Sequence, residues 1–274
     1  MLDSARIAIN QATTRAQWDF RQSVEGYARH GVRGIAVWRD KLGEIGLGEA
    51  KRILADHGMQ VSGLNRAGPF NASEGRARAA ALTDARRAIE EAAELGATCL
   101  LLFPGGLPPG SKDIGRTREL LSETIAELLP AARQAGVVLA LEPLHPMLAA
   151  DRSCLNTLSA ANDLCDTFGR GLGIVVDIYH VWWDAFLDHE IARAGADRLV
   201  GFHVSDWLVP TRDLVFDRGM MGDGIIDIPR IRHAVEAAGY DGPIEVEIFS
   251  EQNWWKRNPE EVVQTCIERC QSAV

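Results

Sequence analysis

The sequence predicts an α/β fold, a single (β/α)8 TIM barrel that takes up residues 1–274 as one domain. Short apolar runs alternate with amphipathic stretches from one end of the chain to the other, which is the pattern of repeated βα units. Eight such units fit a closed barrel, since an open sheet usually has about five or six strands. Polar residues also gather at the carboxyl ends of these runs, where barrels of this kind carry their active sites.

The predicted strands are short runs rich in Val, Ile and Leu. In chain order they span 6–10, 33–38, 60–65, 98–103, 137–142, 173–178, 199–204 and 244–249. The amphipathic stretches predict helices over 16–30, 48–57, 73–95, 112–135, 157–169, 184–196, 228–238 and 258–272. Several of these helices end at a glycine, which suits the left-handed conformation of a helix cap.

The composition predicts a cytoplasmic protein without nucleic-acid or membrane partners. A net charge of −9 opposes binding to a phosphate backbone. The longest apolar runs, such as TCLLLF, are far shorter than the roughly 20 residues that a membrane span needs. The amino-terminal stretch lacks the charged and then apolar pattern of a signal peptide. The five cysteines have no CxxC spacing, so we expect reduced thiols.

Four of the strand-like runs hold an acid or an imidazole at or near their carboxyl end. Glu142 precedes Pro143, which keeps Glu142 out of a helix and ends the strand. Asp177 lies in the apolar run VVDIYH, where an unpaired carboxylate is costly to bury. His203 lies in GFHVSD and Glu247 in EVEIF. Carboxylate oxygens and imidazole nitrogen suit a divalent ion, so these runs predict a metal site.

Each of these residues also has a structural interpretation. Glu142 can cap a turn, Asp177 can form an internal ion pair, and His203 can be a core histidine. We expect strand alternation to turn Glu245 and Glu247 to opposite faces, so that only one faces the barrel. We choose Glu247 because it comes later along the strand.

Several residues outside the strands predict the substrate side of the site. His180 lies three residues after Asp177, within reach of a substrate next to the ion, although a solvent-facing loop histidine is the alternative. Tryptophans follow several strand ends and suit the apolar face of a sugar or cyclitol ring, or a subunit contact; they are at 38, 182, 183, 207, 254 and 255. The run QNWWKR at 252–257 predicts exposed apolar surface and hence a homo-oligomer, a dimer or tetramer.

The runs ALEPLHP, C-x-NT, VDIYH, FHVSD, MGDGIID and EVEIF together resemble the xylose-isomerase-like TIM-barrel superfamily of sugar isomerases and epimerases. The resemblance is strongest over 137–270. Within the superfamily, the HP…C-x-NT and D-R-x-x-x-G-D-G-x-I-D segments are most similar to the 2-keto-myo-inositol (inosose) isomerase branch.

This resemblance implies one divalent metal ion and a small sugar or cyclitol substrate. The ligands that it implies are Glu142, Asp177, His203 and Glu247, and it places His180 and Arg218 on the substrate. Three carboxylates and one imidazole favour Mn²⁺, Mg²⁺ or Co²⁺, and Zn²⁺ is compatible.

The predicted reaction is proton transfer beside a ketone through an enediolate, with Glu142 and Glu247 as the catalytic acids and bases. Ketose 3-epimerases of the superfamily carry an arginine and an acid where this chain has Val209 and Leu148, so a cyclic keto-polyol is favoured. The absence of a glycine-rich phosphate loop predicts an unphosphorylated keto-cyclitol or keto-sugar.

Three other functions remain open at this point. A metal-dependent dehydratase of a keto-cyclitol or 3-keto-sugar would form the same enediolate and expel a β-hydroxyl group. An abasic-site endonuclease would need ligands for three zinc ions and a basic groove. A sugar-binding barrel without catalysis would not need the complete set of ligands.

Overall fold

Residues 3–72 and 74–274 are described by the structure, a computed structural model of the chain. Eight parallel strands form a closed barrel: β1 (Ile7–Asn10), β2 (Gly34–Trp38), β3 (Gln60–Ala67), β4 (Cys99–Leu102), β5 (Val138–Leu141), β6 (Leu172–Asp177), β7 (Leu199–Val204) and β10 (Ile244–Val246). Pairing of β10 with β1 closes the ring. The predicted (β/α)8 barrel is therefore confirmed.

Ten α-helices are found in the described part of the chain. They are α1 (Phe20–Arg29), α2 (Arg39–Ile45), α3 (Leu47–Asp56), α4 (Gly75–Leu95), α5 (Ile114–Ala135), α6 (Leu158–Phe168), α7 (Ile178–Val181), α8 (Leu187–Arg198), α9 (Ile228–Ala237) and α10 (Pro259–Ser272). The predicted start of the fourth sequence helix, at 73, lies outside the described residues. Glycine caps occur as expected at Gly96 and Gly136, where φ is 62° and 71°.

Some short elements were not predicted. Helices α2 and α7 and the antiparallel hairpin of β8 (Asp206–Trp207) and β9 (Arg218–Gly219) are too short to show a clear periodicity. No helix within residues 3–72 and 74–274 is long and apolar enough to cross a bilayer.

The strand register sets the level of the polar side chains inside the barrel. Asp177 on β6 pairs with His203 on β7, and His203 pairs with Glu245 on β10. Glu142 and Glu247 come directly after the ends of β5 and β10. Toward the amino ends of the strands, the barrel interior is filled by Cys99, Leu101, Ala140 and Val175. The barrel interior is thus filled by apolar side chains below a layer of polar side chains at the carboxyl ends of the strands.

One buried carboxylate holds together the long connection between β7 and α9. The side chain of Asp206 accepts hydrogen bonds from the backbone N–H groups of Gly222 at 2.9 Å, Gly224 at 2.8 Å and Ile226 at 3.0 Å. These bonds tie the FHVSD and GDGIID segments to each other, and they hold the β8–β9 hairpin over the carboxyl end of the barrel.

We predict that Asp206→Asn lowers the free energy of unfolding by about 1–3 kcal/mol, because an amide group turns its own N–H donors toward at least one of these three N–H groups whichever way it is oriented. Urea unfolding followed by circular dichroism measures this. The matched control is Asp197→Asn, because Asp197 is exposed. Its unfolding free energy should stay within about 0.5 kcal/mol of the wild type. Equal stability of the two variants would contradict the role given to Asp206.

Candidate metal centre and active site

The four predicted metal ligands converge at the carboxyl end of the barrel. Glu142, Asp177, His203 and Glu247 each offer one ligand atom, and these atoms all lie within 4.8 Å of one another. Asp177, His203 and Glu247 are buried, while Glu142 is partly exposed. Within the described ranges, this is the one group of His, Cys, Asp and Glu side chains with such spacing.

Two of the ligand atoms are buried without a bond. Nδ1 of His203 lies 2.9 Å from Oε1 of Glu142. Neither atom has a hydrogen-bond partner within residues 3–72 and 74–274, although the two face each other at ion-pair distance. Buried polar atoms nearly always have a hydrogen-bond or metal partner, so we expect a bound partner for these two atoms. An ion between the two atoms would supply it, and the carboxylates of Asp177 and Glu247 would complete a donor set that fits a divalent metal.

A further carboxylate, Glu245, fixes the ring of His203. Nε2 of His203 lies 3.3 Å from Oε1 of Glu245. Glu245 is itself held by hydrogen bonds from Asn10 at 2.7 Å and from the hydroxyl of Ser62 at 2.6 Å. A carboxylate behind a histidine orients the ring, so that the other ring nitrogen is free to bind a metal.

The prediction that Glu245 and Glu247 face opposite sides is wrong. The side-chain amide of Asn10 donates to both carboxylates, at 2.7 Å to Glu245 and 3.0 Å to Glu247. Residues two apart in a strand lie on the same face, because side chains alternate with a period of two. The two acids differ in their neighbours instead: Glu245 contacts the ring of His203, and Glu247 lines the cavity above it.

Arg218 and His180, which were predicted to contact substrate, lie at the edge of the cluster. Nη1 of Arg218 donates to Asp177 at 2.9 Å and to Glu247 at 3.1 Å. Nη2 of Arg218 lies 3.0 Å from Nε2 of His180. The backbone N–H of Arg218 donates to the carbonyl of Phe249 at 2.9 Å, so the hairpin strand β9 carries the guanidinium to the carboxyl end of β10.

Burial and nearby charge set the protonation of these groups. Burial raises the pKa of Glu247 to about 8, against the lowering effect of Arg218 and with a further rise from Glu142. Burial alone would lower the pKa of His203, but the surrounding carboxylates raise it well above its usual value. Burial lowers the pKa of His180 to about 3, so His180 is neutral near pH 7. The raised pKa of His203 thus reflects the negative charge of the carboxylates gathered around it.

The cluster lies at one side of a cavity of about 400 Å³, large enough for a small ligand. Aromatic side chains form much of its wall, and they are Trp38, Phe103, Phe216, Phe249 and Trp255. Of the tryptophans considered from the sequence, those at 182, 183, 207 and 254 do not line it. Trp254 is only 5% exposed, so QNWWKR does not present the apolar surface that its sequence predicted.

Several residues of the site were missed by the sequence analysis. Asn10 and Arg66 come at or near the carboxyl ends of β1 and β3, which is the same signal that identified the metal ligands. Arg15 and Arg152 also line the cavity, but both lie in connections where the sequence gives no comparable signal.

Curated proteins that resemble the chain include sugar isomerases and epimerases. The inosose isomerase of Halalkalibacterium halodurans is 23% identical over 274 residues, which cover 95% of this chain and 93% of the relative. An L-ribulose-5-phosphate 3-epimerase of Escherichia coli is 25% identical over 224 residues, which cover 77% of this chain and 74% of the relative. The prediction that the chain is an enzyme is confirmed.

Solved structures resemble the chain over nearly its whole length. A crystal structure of a protein from Sinorhizobium meliloti 1021 is 52% identical, with a TM-score of 0.97 and 99% of each chain covered. The IolI protein, whose crystal structure holds a zinc atom, has a TM-score of 0.84 at 21% identity, with 98% of each chain covered. The family described as "Xylose isomerase-like TIM barrel" matches residues 24–272. The resemblance expected from the sequence is confirmed, and the chain belongs to the xylose isomerase-like TIM barrel family.

Proposed function

We propose that the chain is a divalent-metal-dependent isomerase or epimerase of a keto-cyclitol or keto-sugar, and that it moves a proton beside the ketone. The observation that carries this proposal is the pair of buried ligand atoms without bonds, on Glu142 and His203, within a four-residue donor cluster that borders a cavity. The names of the relatives, an inosose isomerase and L-ribulose-5-phosphate 3-epimerases, support this class of reaction.

One ion would be held by Glu142, Asp177, His203 and Glu247. Oxygen donors with one imidazole favour Mn²⁺, Mg²⁺ or Co²⁺. Zn²⁺ is also compatible, as the zinc atom in the IolI structure illustrates. When bound, such an ion would polarise the ketone and make the neighbouring C–H group more acidic.

Glu142 and Glu247 are placed to move the proton. Both line the cavity, and they follow strands β5 and β10, which are separated in the barrel by β6 and β7. They can therefore approach a substrate from different sides. A carboxylate within hydrogen-bond reach of the C–H group beside the ketone can both take up and release a proton. Removal by one carboxylate and return by the other gives an epimer, whereas return by the same carboxylate to the adjacent carbon gives an isomer.

His180 and Arg218 are proposed to orient the substrate oxygens. His180 is neutral near pH 7, and Arg218 remains positive because burial, which alone would lower its pKa, is outweighed by Asp177 and Glu247. Nε of Arg218 is buried and has no partner in the described part of the chain, so one donor is free for a ligand. Both side chains line the same cavity as the two glutamates.

We predict one divalent ion per chain in elemental analysis of the purified protein. Glu142→Gln should abolish tight binding, because it removes a charged ligand. Glu245→Gln should weaken metal affinity by only about 10–100-fold, because Glu245 acts through the ring of His203. Isothermal titration calorimetry measures both, with the surface change Glu119→Gln as the control. Metal-free protein with activity indifferent to chelators would exclude the metal site.

We predict that the metal-loaded protein exchanges deuterium from D₂O into the position next to the ketone of an inosose, a ketohexose or a 3-keto-glycoside. Glu247→Gln should keep its fold, because the volume is unchanged, and should lose about 10²–10⁴-fold in rate. Proton NMR follows the exchange, and circular dichroism follows the fold. Full activity of Glu247→Gln would contradict its catalytic role, and loss of water from the product would assign the enzyme to the dehydratases.

We also propose a homodimer or tetramer. Large apolar side chains are exposed in the connections after β5, β6 and β7, namely Met147 (67%), Phe186 (71%) and Val209 (68%). Such surface is typical of a subunit contact. Light scattering at micromolar concentration should give a mass of at least two chains, and Phe186→Ser should lower it. A monomeric wild-type protein would contradict this proposal.

A further inference from the structure

We infer that the substrate carries an anionic group, a carboxylate or a phosphate, and that Arg66 and Arg152 bind this group within the cavity. The inference rests on the proposed function, because it adds a property to the substrate of the same site.

Four arginines but only two glutamates line the cavity, and the arginines differ in their partners. Arg218 donates to two carboxylates of the cluster, and Arg15 donates to Asp40 at 2.5 Å. The guanidinium groups of Arg66 and Arg152 have no ion pair and no hydrogen-bond acceptor within residues 3–72 and 74–274. An arginine that only supports the fold normally bonds a carboxylate or a backbone carbonyl. The N–H groups of Arg66 and Arg152 are therefore available to bind a ligand.

Arg66 is held in a fixed orientation by aromatic rings. Its guanidinium carbon lies 3.6 Å from the ring centroid of Phe103 and 5.8 Å from that of Trp38. Stacking of this kind uses the face of the guanidinium and leaves the N–H groups at its edge free. A planar edge of N–H donors matches the paired oxygens of a carboxylate or a phosphate.

No carboxylate of the described residues lies at ion-pair distance from Arg66. Burial lowers the pKa of Arg66 and the positive charge of Arg152 lowers it further, while Glu142 and Glu247 partly oppose this. Two cations therefore share one part of the cavity and repel each other. An anion between them would remove this repulsion and would gain hydrogen bonds to both.

Arg152 is presented by a well-anchored loop. The side-chain amide of Asn156 donates to the carbonyls of Leu144 and Ser153, each at 3.0 Å. Ser153 forms a bridge with Gly105 of the neighbouring connection. The C-x-NT segment, which supported the family resemblance, thus has a structural role here: it fixes the loop that carries Arg152 beside the cavity.

The expectation of an unphosphorylated substrate considered only a glycine-rich backbone loop as a binding site for phosphate. Arginine side chains bind the same oxyanions without such a loop. In addition, the ring of Trp38 is already contacted by Arg15, whose guanidinium carbon lies 5.1 Å from its centroid, as well as by Arg66. The ring of Trp38 is therefore occupied by the guanidinium groups of Arg15 and Arg66, and a neutral substrate ring stacked on it would have to displace them.

The first test measures binding of inorganic phosphate to the purified protein by isothermal titration calorimetry. Arg66→Gln and Arg152→Gln should each weaken binding by at least about tenfold, because each removes a charge-assisted hydrogen bond. Arg15→Gln is the matched control, since Arg15 lines the same cavity but already bonds Asp40; phosphate affinity should change less than about twofold. Equal phosphate affinity in all variants would overturn the inference, as would undetectable phosphate binding combined with no KM advantage for either anionic ketose.

The second test compares ketoses that differ only at one terminus, which is neutral, a carboxylate or a phosphate, in the deuterium-exchange assay. The anionic form that the site accepts should have a KM at least about tenfold below that of the neutral form, and Arg66→Gln should raise the KM of the anionic form to that of the neutral form. Whichever of the two anionic forms has the lower KM identifies the group.

The two proposals fail in different ways. Arginine-dependent phosphate binding without exchange of any ketone would contradict the proposed function and would support the anion site. Exchange of neutral ketones with no dependence on charge or on the two arginines would support the function and contradict the anion site.

Discussion

The structure depends on balancing the negative charge that the barrel concentrates around one histidine. The carboxylates near His203 are those of Glu142, Asp177, Glu245 and Glu247. An uncompensated carboxylate in a protein interior costs several kcal/mol, so each of these groups requires a cation or a set of donors. Asn10 and Ser62 satisfy Glu245, and Arg218 bridges Asp177 and Glu247. The buried ligand atoms on Glu142 and His203 remain without hydrogen bonds, which is why we propose a divalent ion there.

This constraint explains structure that lies outside the barrel. Arg218 can bond both carboxylates only if a segment from outside the sheet brings its guanidinium over the ends of β6 and β10. The β8–β9 hairpin does so, and the carboxylate of Asp206 holds the connection in place through three backbone N–H groups. The hydrogen bonds that Asp206 accepts from the backbone thus position the guanidinium of Arg218, which stabilises the carboxylates of Asp177 and Glu247. A defect at Asp206 would therefore affect the electrostatics of the site as well as the stability of the loop.

The barrel and the four converging ligands could be predicted from the sequence, because both depend on local patterns: an apolar run forms a buried strand, and a polar residue at its end enters the site. The short hairpin could not, since two-residue strands have no periodicity. The error about Glu245 came from applying alternation to residues that are two apart. The sequence also could not predict that Arg66 and Arg152 lack ion pairs, because this depends on whether distant segments bring acids close to them in the fold. Local sequence patterns show which strand or helix a residue belongs to, whereas its ion-pair and hydrogen-bond partners depend on the tertiary structure.

The proposed substrate site combines two kinds of group, and the distance between them would control which carbon of the substrate reacts. The chain as a whole carries a charge of −9, yet arginines outnumber acids along the cavity wall. Two arginines without ion pairs on the cavity wall would attract an anion there, although the chain as a whole is acidic. An anionic end held by Arg66 and Arg152 would fix how far the ketone reaches toward Glu142 and Glu247. Because proton transfer requires close approach of the carboxylate to one particular C–H group, this distance determines which carbon is deprotonated. The arginines would therefore select the position of reaction, and the two glutamates would carry it out.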